Sequence, residues 1–287
     1  MLALQLLVNG LVTGSALGIV AISFSLVFST AKIFHVAHAG VYTMAGYLAW
    51  SFVRYGVPSP LALVIVLAVC ALTGALIEWQ LYDRLKQRRA TGLVILIASI
   101  GLLAVMQNVI SAIYTPNILQ FPLPWASQVV ALGGIRLSWT EILTVVLSLA
   151  AYAATIFFAT KTNLGKRIRA VASNPFLAEI TRLEPRSVYV YVIAIASALV
   201  ALPGVMVPLD FGLQPYGGLT PLLTATIAMI AGGVGSLHGA YVVAVAIAVM
   251  QNLCLLFIPG EWSIGVTFFI FVIFMLFRPT GLFTAAR

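Results

Sequence analysis

Residues 161–187, KTNLGKRIRAVASNPFLAEITRLEPRS, form the polar stretch that divides an otherwise apolar chain. Six basic residues lie in it, and runs long enough to cross a membrane stand on both sides. Hydrophobic residues make up 62% of the 287 residues, charged residues only 8%, and the mean hydropathy is +1.11. A soluble domain would carry about a quarter charged residues to cover its surface. Most of this surface must therefore face lipid, and we expect an all-α polytopic membrane protein.

The apolar runs can be counted, because a helix needs about 20 mostly apolar residues to cross the hydrocarbon core. The predicted spans are 3–30, 34–53, 59–81, 92–114, 140–160, 188–209, 218–233, 237–257 and 262–277. This gives about nine transmembrane helices, with a range of roughly 8–10. The first run has no basic segment before it, so we expect a membrane span there and not a cleaved signal.

Lys and Arg predict the orientation, since they concentrate in cytoplasmic loops. Segments 83–89 and 161–186 carry four and six basic residues, and two spans separate them, so both can face the cytoplasm. The connection 115–139 and the N-terminus then face outside, and the C-terminus faces inside. Only Arg54 and Arg136 fall outside in this assignment. Because the basic residues lie between apolar runs, the net charge of +8 does not indicate a nucleic-acid partner.

This orientation contains an internal symmetry. Spans one to four begin outside and spans six to nine begin inside, which is typical of transporters built from two inverted four-helix repeats. We assign one transmembrane domain, 1–287, with a first repeat 1–114, a linker span 140–160, a cytoplasmic coupling segment 161–187 and a second repeat 188–277.

Each repeat has a glycine-rich interruption at its second helix. The first is His35-Val-Ala-His-Ala-Gly40 and the second is Gly232-Gly-Val-Gly-Ser-Leu-His-Gly239. Broken helices persist in lipid where protein or a watery cavity covers the freed backbone groups, which would place both breaks at a solute pathway. Close helix packing at small residues explains membrane glycines equally well. Both interpretations stay open from the sequence.

The segment 161–187 predicts a short helix outside the membrane. Ser173 and Asn174 are capping residues, Pro175 suits the first helical position, and the helix must end before Pro185. Three apolar side chains share one face by their spacing: Phe176, Leu177 and Ile180. Such a face needs a cover. The helix either lies on lipid headgroups or docks a cytoplasmic partner.

Four motifs occur in a characteristic order and spacing. They are Asn9-Gly-Leu-Val-Thr-Gly-Ser-Ala-Leu-Gly18; Ala37-His38 with Tyr42, Gly46 and Tyr47; Arg169-Ala-Val-Ala-Ser-Asn-Pro-Phe-Leu-Ala178; and Gly232-Gly-Val-Gly-Ser236 with Gly239-Ala240. The ending Arg278-Pro-Thr-Gly-Leu-Phe283 follows the same pattern. Together they resemble the permease subunits of branched-chain amino acid ABC importers, the hydrophobic amino acid uptake family. The family usually has a glycine near the position of Arg182.

The resemblance implies a bacterial inner (plasma) membrane protein that forms a pore with a second, homologous permease subunit. It also implies two cytoplasmic ATPase subunits and an extracytoplasmic solute-binding protein as partners. Residues 174–183 would be the coupling helix that seats in a groove of the ATPase. The expected coupling residues are Asn174, Pro175, Phe176, Leu177, Glu179 and Ile180.

Catalytic and cofactor motifs are absent from the sequence. It contains no Gly-x-x-x-x-Gly-Lys-Ser/Thr, His-Glu-x-x-His or Gly-x-Ser-x-Gly, so we expect no enzyme activity, and ATP hydrolysis in a partner. His35 and His38 alone make a poor zinc site, and we expect neither metal nor cofactor. The acidic residues that bear on ion coupling all fall near span ends, where water is in reach: Glu78, Glu141, Asp210 and Glu261.

The placement of these acidic residues near span ends favours an external energy source over ion coupling. The alternatives are a channel or facilitator and an ion-coupled secondary transporter, whereas a membrane-embedded enzyme lacks a catalytic set. Weakly polar side chains are expected to line the pathway: Ser15, Ser23, His35, His38, Thr43, Thr224 and Thr226. Such a lining suits a small neutral or zwitterionic solute, such as an amino acid or an amide- or urea-type compound.

Overall fold

The computed structural model describes residues 1–123, 125–126, 128–132, 134–278 and 281–283. Its helices are α1 Leu2–Ala31, α2 His38–Arg54, α3 Ser59–Ile77, α4 Asp83–Gln87, α5 Gly92–Tyr114, α6 Trp139–Lys161, α7 Asn163–Ser173, α8 Pro175–Ile180, α9 Pro185–Phe211, α10 Leu219–Gly232, α11 Leu237–Cys254 and α12 Ser263–Phe277. A π-helical segment, Glu78–Tyr82, joins α3 to α4, and a 3-10 turn, Gly260–Trp262, precedes α12. Pro279 and Thr280 of the quoted ending, and residues 284–287 of the assigned domain, lie outside the described residues.

A helix lies in each of the nine predicted spans. In the described part of the chain, seven helical segments are long and apolar enough to cross a membrane: Leu2–Ala31, Ser59–Gln87, Gly92–Tyr114, Trp139–Lys161, Pro185–Phe211, Leu237–Cys254 and Gly260–Phe277. The other two, α2 and α10, have 17 and 14 residues. The helical, multi-pass membrane class is confirmed, whereas nine crossings and the inverted repeat stay predictions.

The centre of the bundle is α1, which packs against α6, α9, α10 and α11. Three glycines at four-residue spacing, Gly10, Gly14 and Gly18, face α11. A Cβ added at Gly10 would lie 2.7 Å from the Cα of Val249, and one at Gly14 would lie 2.8 Å from the Cα of Val245. Any larger residue would push the helices apart, so this stripe sets the α1–α11 distance.

The connection between α5 and α6 contains a β-hairpin that the sequence did not predict. Its strands, β1 Val129–Leu132 and β2 Ile135–Ser138, pair antiparallel with Val129 opposite Ser138. Ser138 then caps α6. Its Oγ accepts a hydrogen bond from Glu141 N at 3.0 Å, and Glu141 Oε2 accepts one from Ser138 N at 2.7 Å. This capping box fixes where the chain leaves the hairpin and enters α6.

The glycine-rich break between α10 and α11 is a packing junction. Gly232 and Gly239 touch, and a Cβ on either one would overlap the other. Gly233 has a φ of 103°, in the region that favours glycine. Phe283 N donates a hydrogen bond to Gly232 O at 3.1 Å, so the C-terminal segment closes over the junction. For this break, the contacts support the packing interpretation.

The acidic residues at the end of α3 differ from expectation. Glu78 is only 1% exposed, and its Oε1 lies 2.6 Å from Lys86 Nζ, so the prediction that Glu78 is within reach of water is wrong. Beyond the predicted span 59–81 the chain stays helical, through the π-helical segment and α4. One turn later, Asp83 accepts two hydrogen bonds from Arg186, Nε to Oδ1 at 2.9 Å and Nη2 to Oδ2 at 2.5 Å. This pair ties α4 to the start of α9.

Candidate functional site

Two small cavities lie side by side among α1, α2, α9 and α10. One, of about 190 Å³, extends from α2 to the connection before α10. The other, of about 150 Å³, lies on the α1 side and reaches α11 and the start of α12. Tyr42, Val207 and Pro221 line both cavities and form the wall between them. We refer to the pair as the central cavities, and they are the candidate solute site.

Two of the predicted pathway residues line the central cavities. Thr43 lies in the first and Thr224 in the second. Thr43 Oγ1 donates a hydrogen bond to Ala39 O at 3.0 Å and accepts one from Gly218 N at 3.2 Å. Thr224 Oγ1 donates to Thr220 O at 3.1 Å. Because both hydroxyl hydrogens are used within their own helices, these side chains can offer a solute only oxygen lone pairs.

Other polar groups of the central cavities were missed from the sequence. The Tyr42 hydroxyl makes no hydrogen bond with any described residue, which leaves it available to a solute. Gln214 lines the first cavity, and Gln251 lines the second and donates to Thr267 Oγ1. The sequence did contain a signal for two of these groups. Tyr42 belongs to one of the family motifs, and Gln251 carries an amide within an apolar helix, where such a group usually faces the protein interior.

His35 and His38 are fully buried and lie outside the central cavities. Their rings are 5.3 Å apart, and each makes one hydrogen bond to a neighbouring helix. His38 Nε2 is 2.8 Å from Ser23 Oγ, and Ser23 uses its own hydrogen on Val20 O. The His38–Ser23 hydrogen bond ties α2 to α1.

His35 belongs to a chain of hydrogen bonds with Tyr82 and Ser99. Tyr82 donates to Ser99 Oγ at 2.8 Å, so its oxygen accepts from His35 Nδ1 at 2.7 Å. Ser99 Oγ also accepts from Ala37 N at 3.0 Å. The chain joins the break before α2 to the π-helical segment and to α5. No group of three or more His, Cys, Asp or Glu that could hold a metal ion occurs among the described residues.

The remaining predicted pathway residues, Ser15 and Thr226, are also buried. Each donates to a carbonyl of its own helix, Ser15 to Val12 O at 2.7 Å and Thr226 to Leu222 O at 2.8 Å. The structure therefore brings Thr43 and Thr224 to the central cavities and places five residues elsewhere in the core: Ser15, Ser23, His35, His38 and Thr226. Pathway roles for these five stay predictions.

Segment 161–187 contains the predicted short helix, α8. It starts at Pro175, and Asn174 Oδ1 accepts a hydrogen bond from Leu177 N at 3.0 Å, as expected of an N-cap. Ala178 is buried where α8 packs against α7 and α9. Three apolar side chains point away from the protein: Phe176, Leu177 and Ile180, which are 68%, 57% and 65% exposed. We call these three the apolar face of α8, and Glu179 is exposed beside it.

The end of α8 explains why a glycine would suit the position of Arg182. Leu183 N donates to Ala178 O at 3.0 Å and Arg182 N to Glu179 O at 3.0 Å, which is the Schellman pattern. That pattern needs a left-handed residue, and Arg182 has a φ of 61°. An arginine therefore holds a conformation that glycine adopts at lower cost.

Comparisons with known proteins cover nearly the whole chain. Residues 6–275 match the family model described as branched-chain amino acid transport system / permease component. The permease protein BraD of a high-affinity branched-chain amino acid transport system from Pseudomonas aeruginosa is 24% identical over 291 residues, covering 97% of this chain and 95% of BraD. The corresponding protein LivH of Escherichia coli strain K12 is 24% identical over 292 residues, covering 97% and 94%.

A solved structure shares the fold. A chain of PsaBC from Streptococcus pneumoniae, determined in complex with Fab, aligns with a TM-score of 0.51 and 16% identity. The alignment covers 93% of this chain and 90% of that one. At this identity the likeness concerns the fold alone.

Proposed function

The chain belongs to the family of branched-chain amino acid transport system permease components, and we propose that it forms half of the membrane pore of an ATP-driven importer. The observation that carries the proposal is the apolar face of α8, a capped helix whose three large side chains lack a cover. A groove in a cytoplasmic ATPase would bury this face. The proposed assembly contains this chain, a second homologous permease subunit, two ATPase subunits and an extracytoplasmic binding protein. This chain itself would hydrolyse nothing.

The proposed arrangement has nine crossings in two inverted repeats, with the N-terminus outside and the C-terminus in the cytoplasm. The basic segments support it, because 83–89 and 161–186 lie at the ends of helices that are separated by two crossings. Two short helices, α2 and α10, fit broken second helices in the two halves.

The proposed solute is a small neutral or zwitterionic compound, and an amino acid is the first choice. The curated relatives are named for branched-chain amino acids. The central cavities are small and mostly apolar, and their Thr43 and Thr224 oxygens can accept hydrogen bonds from an ammonium or amide group. An ion-coupled carrier would need an acidic group at this site, whereas no Asp or Glu is among the described residues that line either cavity.

Uptake measured in reconstituted vesicles tests the proposal. The chain is assembled with candidate ATPases, a second permease and a binding protein from the same genome, and amino acid uptake is followed with and without ATP. We expect uptake only with ATP, and its loss when the P-loop lysine of the ATPase is replaced by alanine. Uptake that persists without the ATPase subunits would instead identify a channel or facilitator.

A further inference from the structure

A third cavity, separate from the central cavities, lies where α1 and α6 end. Its volume is about 410 Å³, and it is enclosed by the ends of α1 and α6, by α7 and by the turn before α11. We call it the basic cavity. Under the proposed orientation it opens at the cytoplasmic surface of the membrane. None of the predicted pathway or coupling residues lines it.

Two basic residues, Lys32 and Arg169, line the basic cavity. Neither forms an ion pair with a described residue, and no Asp or Glu is among the described residues that line the cavity. Lys32 is held at the end of α1 by a hydrogen bond from its backbone N to Phe28 O at 3.1 Å and has a φ of 56°. The cavity therefore has a positive potential that nothing nearby neutralises.

One buried hydroxyl of the basic cavity also lacks a partner in the described part of the chain. Thr30 lines it and is 2% exposed, and its Oγ1 has no hydrogen-bond partner among the described residues. Ser173 lines the same cavity from the end of α7. A buried hydroxyl without a partner is costly, and an oxygen-rich ligand would satisfy it.

Part of the remaining wall is apolar. Leu26, Phe158 and Leu237 contribute to it, and Phe158 belongs to α6, a helix long and apolar enough to cross a membrane. A ligand that fits has an anionic, oxygen-rich group beside a hydrocarbon part. Basic pockets between membrane helices at the cytoplasmic surface bind anionic headgroups in this way.

We propose that the basic cavity binds the phosphate group of an anionic phospholipid from the cytoplasmic leaflet, with Lys32, Arg169 and Thr30 as its contacts. The same phosphate chemistry is present in soluble phosphate esters. The apolar wall favours the lipid, because a soluble ester would leave that wall exposed.

Binding of phosphatidylglycerol to the purified, assembled complex in detergent tests the inference by native mass spectrometry. Lys32→Gln and Arg169→Gln should each weaken binding about five-fold, which corresponds to about 1 kcal/mol for each cation at a membrane surface. Thr30→Val should weaken it as well, without a change of charge. The matched controls are Lys166→Gln and Arg167→Gln, which remove exposed cations of α7 that do not line the cavity.

The outcomes separate the sources of phosphate. Retention of phosphatidylglycerol in the presence of millimolar inorganic phosphate or glycerol phosphate supports the lipid assignment, and displacement by either overturns it in favour of a soluble anion. If the control variants weaken phosphatidylglycerol binding equally, the effect arises from general surface charge, and the proposal is overturned. If a charge variant does not fold, Thr30→Val and its wild-type parent still provide the comparison.

Discussion

Replacing one side chain in the apolar face of α8 by aspartate should strongly weaken assembly with the proposed ATPase partner. Full burial of a Phe or Leu side chain contributes about 1.5–3 kcal/mol. Because Phe176 and Leu177 are 68% and 57% exposed, each has about 1–2 kcal/mol still to gain from a partner. An aspartate forfeits that gain and places a carboxylate in an apolar groove, so Phe176→Asp or Leu177→Asp should cost at least about 3 kcal/mol, roughly 100-fold in affinity.

The assay is the affinity of the purified ATPase for the permease in nanodiscs, together with the thermal unfolding of the permease alone. Both positions are exposed in the isolated chain, so unfolding should not change. Ala170→Asp is the matched control, because it adds the same charge at an exposed site of the neighbouring helix α7. Wild-type ATPase affinity in both α8 variants would refute the reasoning and indicate that the apolar face lies on lipid headgroups.

Three further predictions follow from the fold. Labelling from outside should modify a cysteine placed at Asn117 but not one at Lys86, and modification at Lys86 would contradict the proposed orientation. Arg182→Gly should raise the thermal stability of the permease, by about 0.5–1 kcal/mol, because the left-handed residue at the end of α8 is then a glycine; an unchanged or lower melting temperature would argue against strain there. His38→Leu should lower the stability by about 1–2 kcal/mol, because the bond to Ser23 is lost, whereas His38→Gln should lose less. Uptake per assembled complex then tests a pathway role for His38, and normal uptake by the leucine variant would exclude it.

Local chemistry made much of the fold predictable. The start of α8 follows from Asn174 and Pro175, since a cap and the residues that it serves are adjacent in sequence. The same holds for the membrane class, because the transfer of apolar residues into lipid depends on composition along a short run. The burial of Glu78 was not predicted, because its partner Lys86 lies eight residues further along the chain.

The positions of the predicted pathway residues relative to the central cavities could not be predicted from local sequence. Seven weakly polar side chains looked equivalent in the sequence, yet Thr43 and Thr224 line the central cavities and His38 bonds Ser23 on another helix. Tyr42, which stands beside Thr43, is the wall between the two cavities. Which neighbour a buried hydroxyl or imidazole meets depends on how distant helices pack, and no local pattern contains that information.

The sequence by itself determined that this chain crosses a membrane many times, where its basic segments lie and where the short helix α8 begins. These properties arise from hydrophobic transfer and from hydrogen bonds between near neighbours, which the order of residues specifies directly. The tertiary structure alone decided that Gly10 and Gly14 bring α1 against α11, and that Lys32 and Arg169 line one cavity. The reason is that these contacts join residues tens to hundreds of positions apart, and only the packing of the helices brings them within reach.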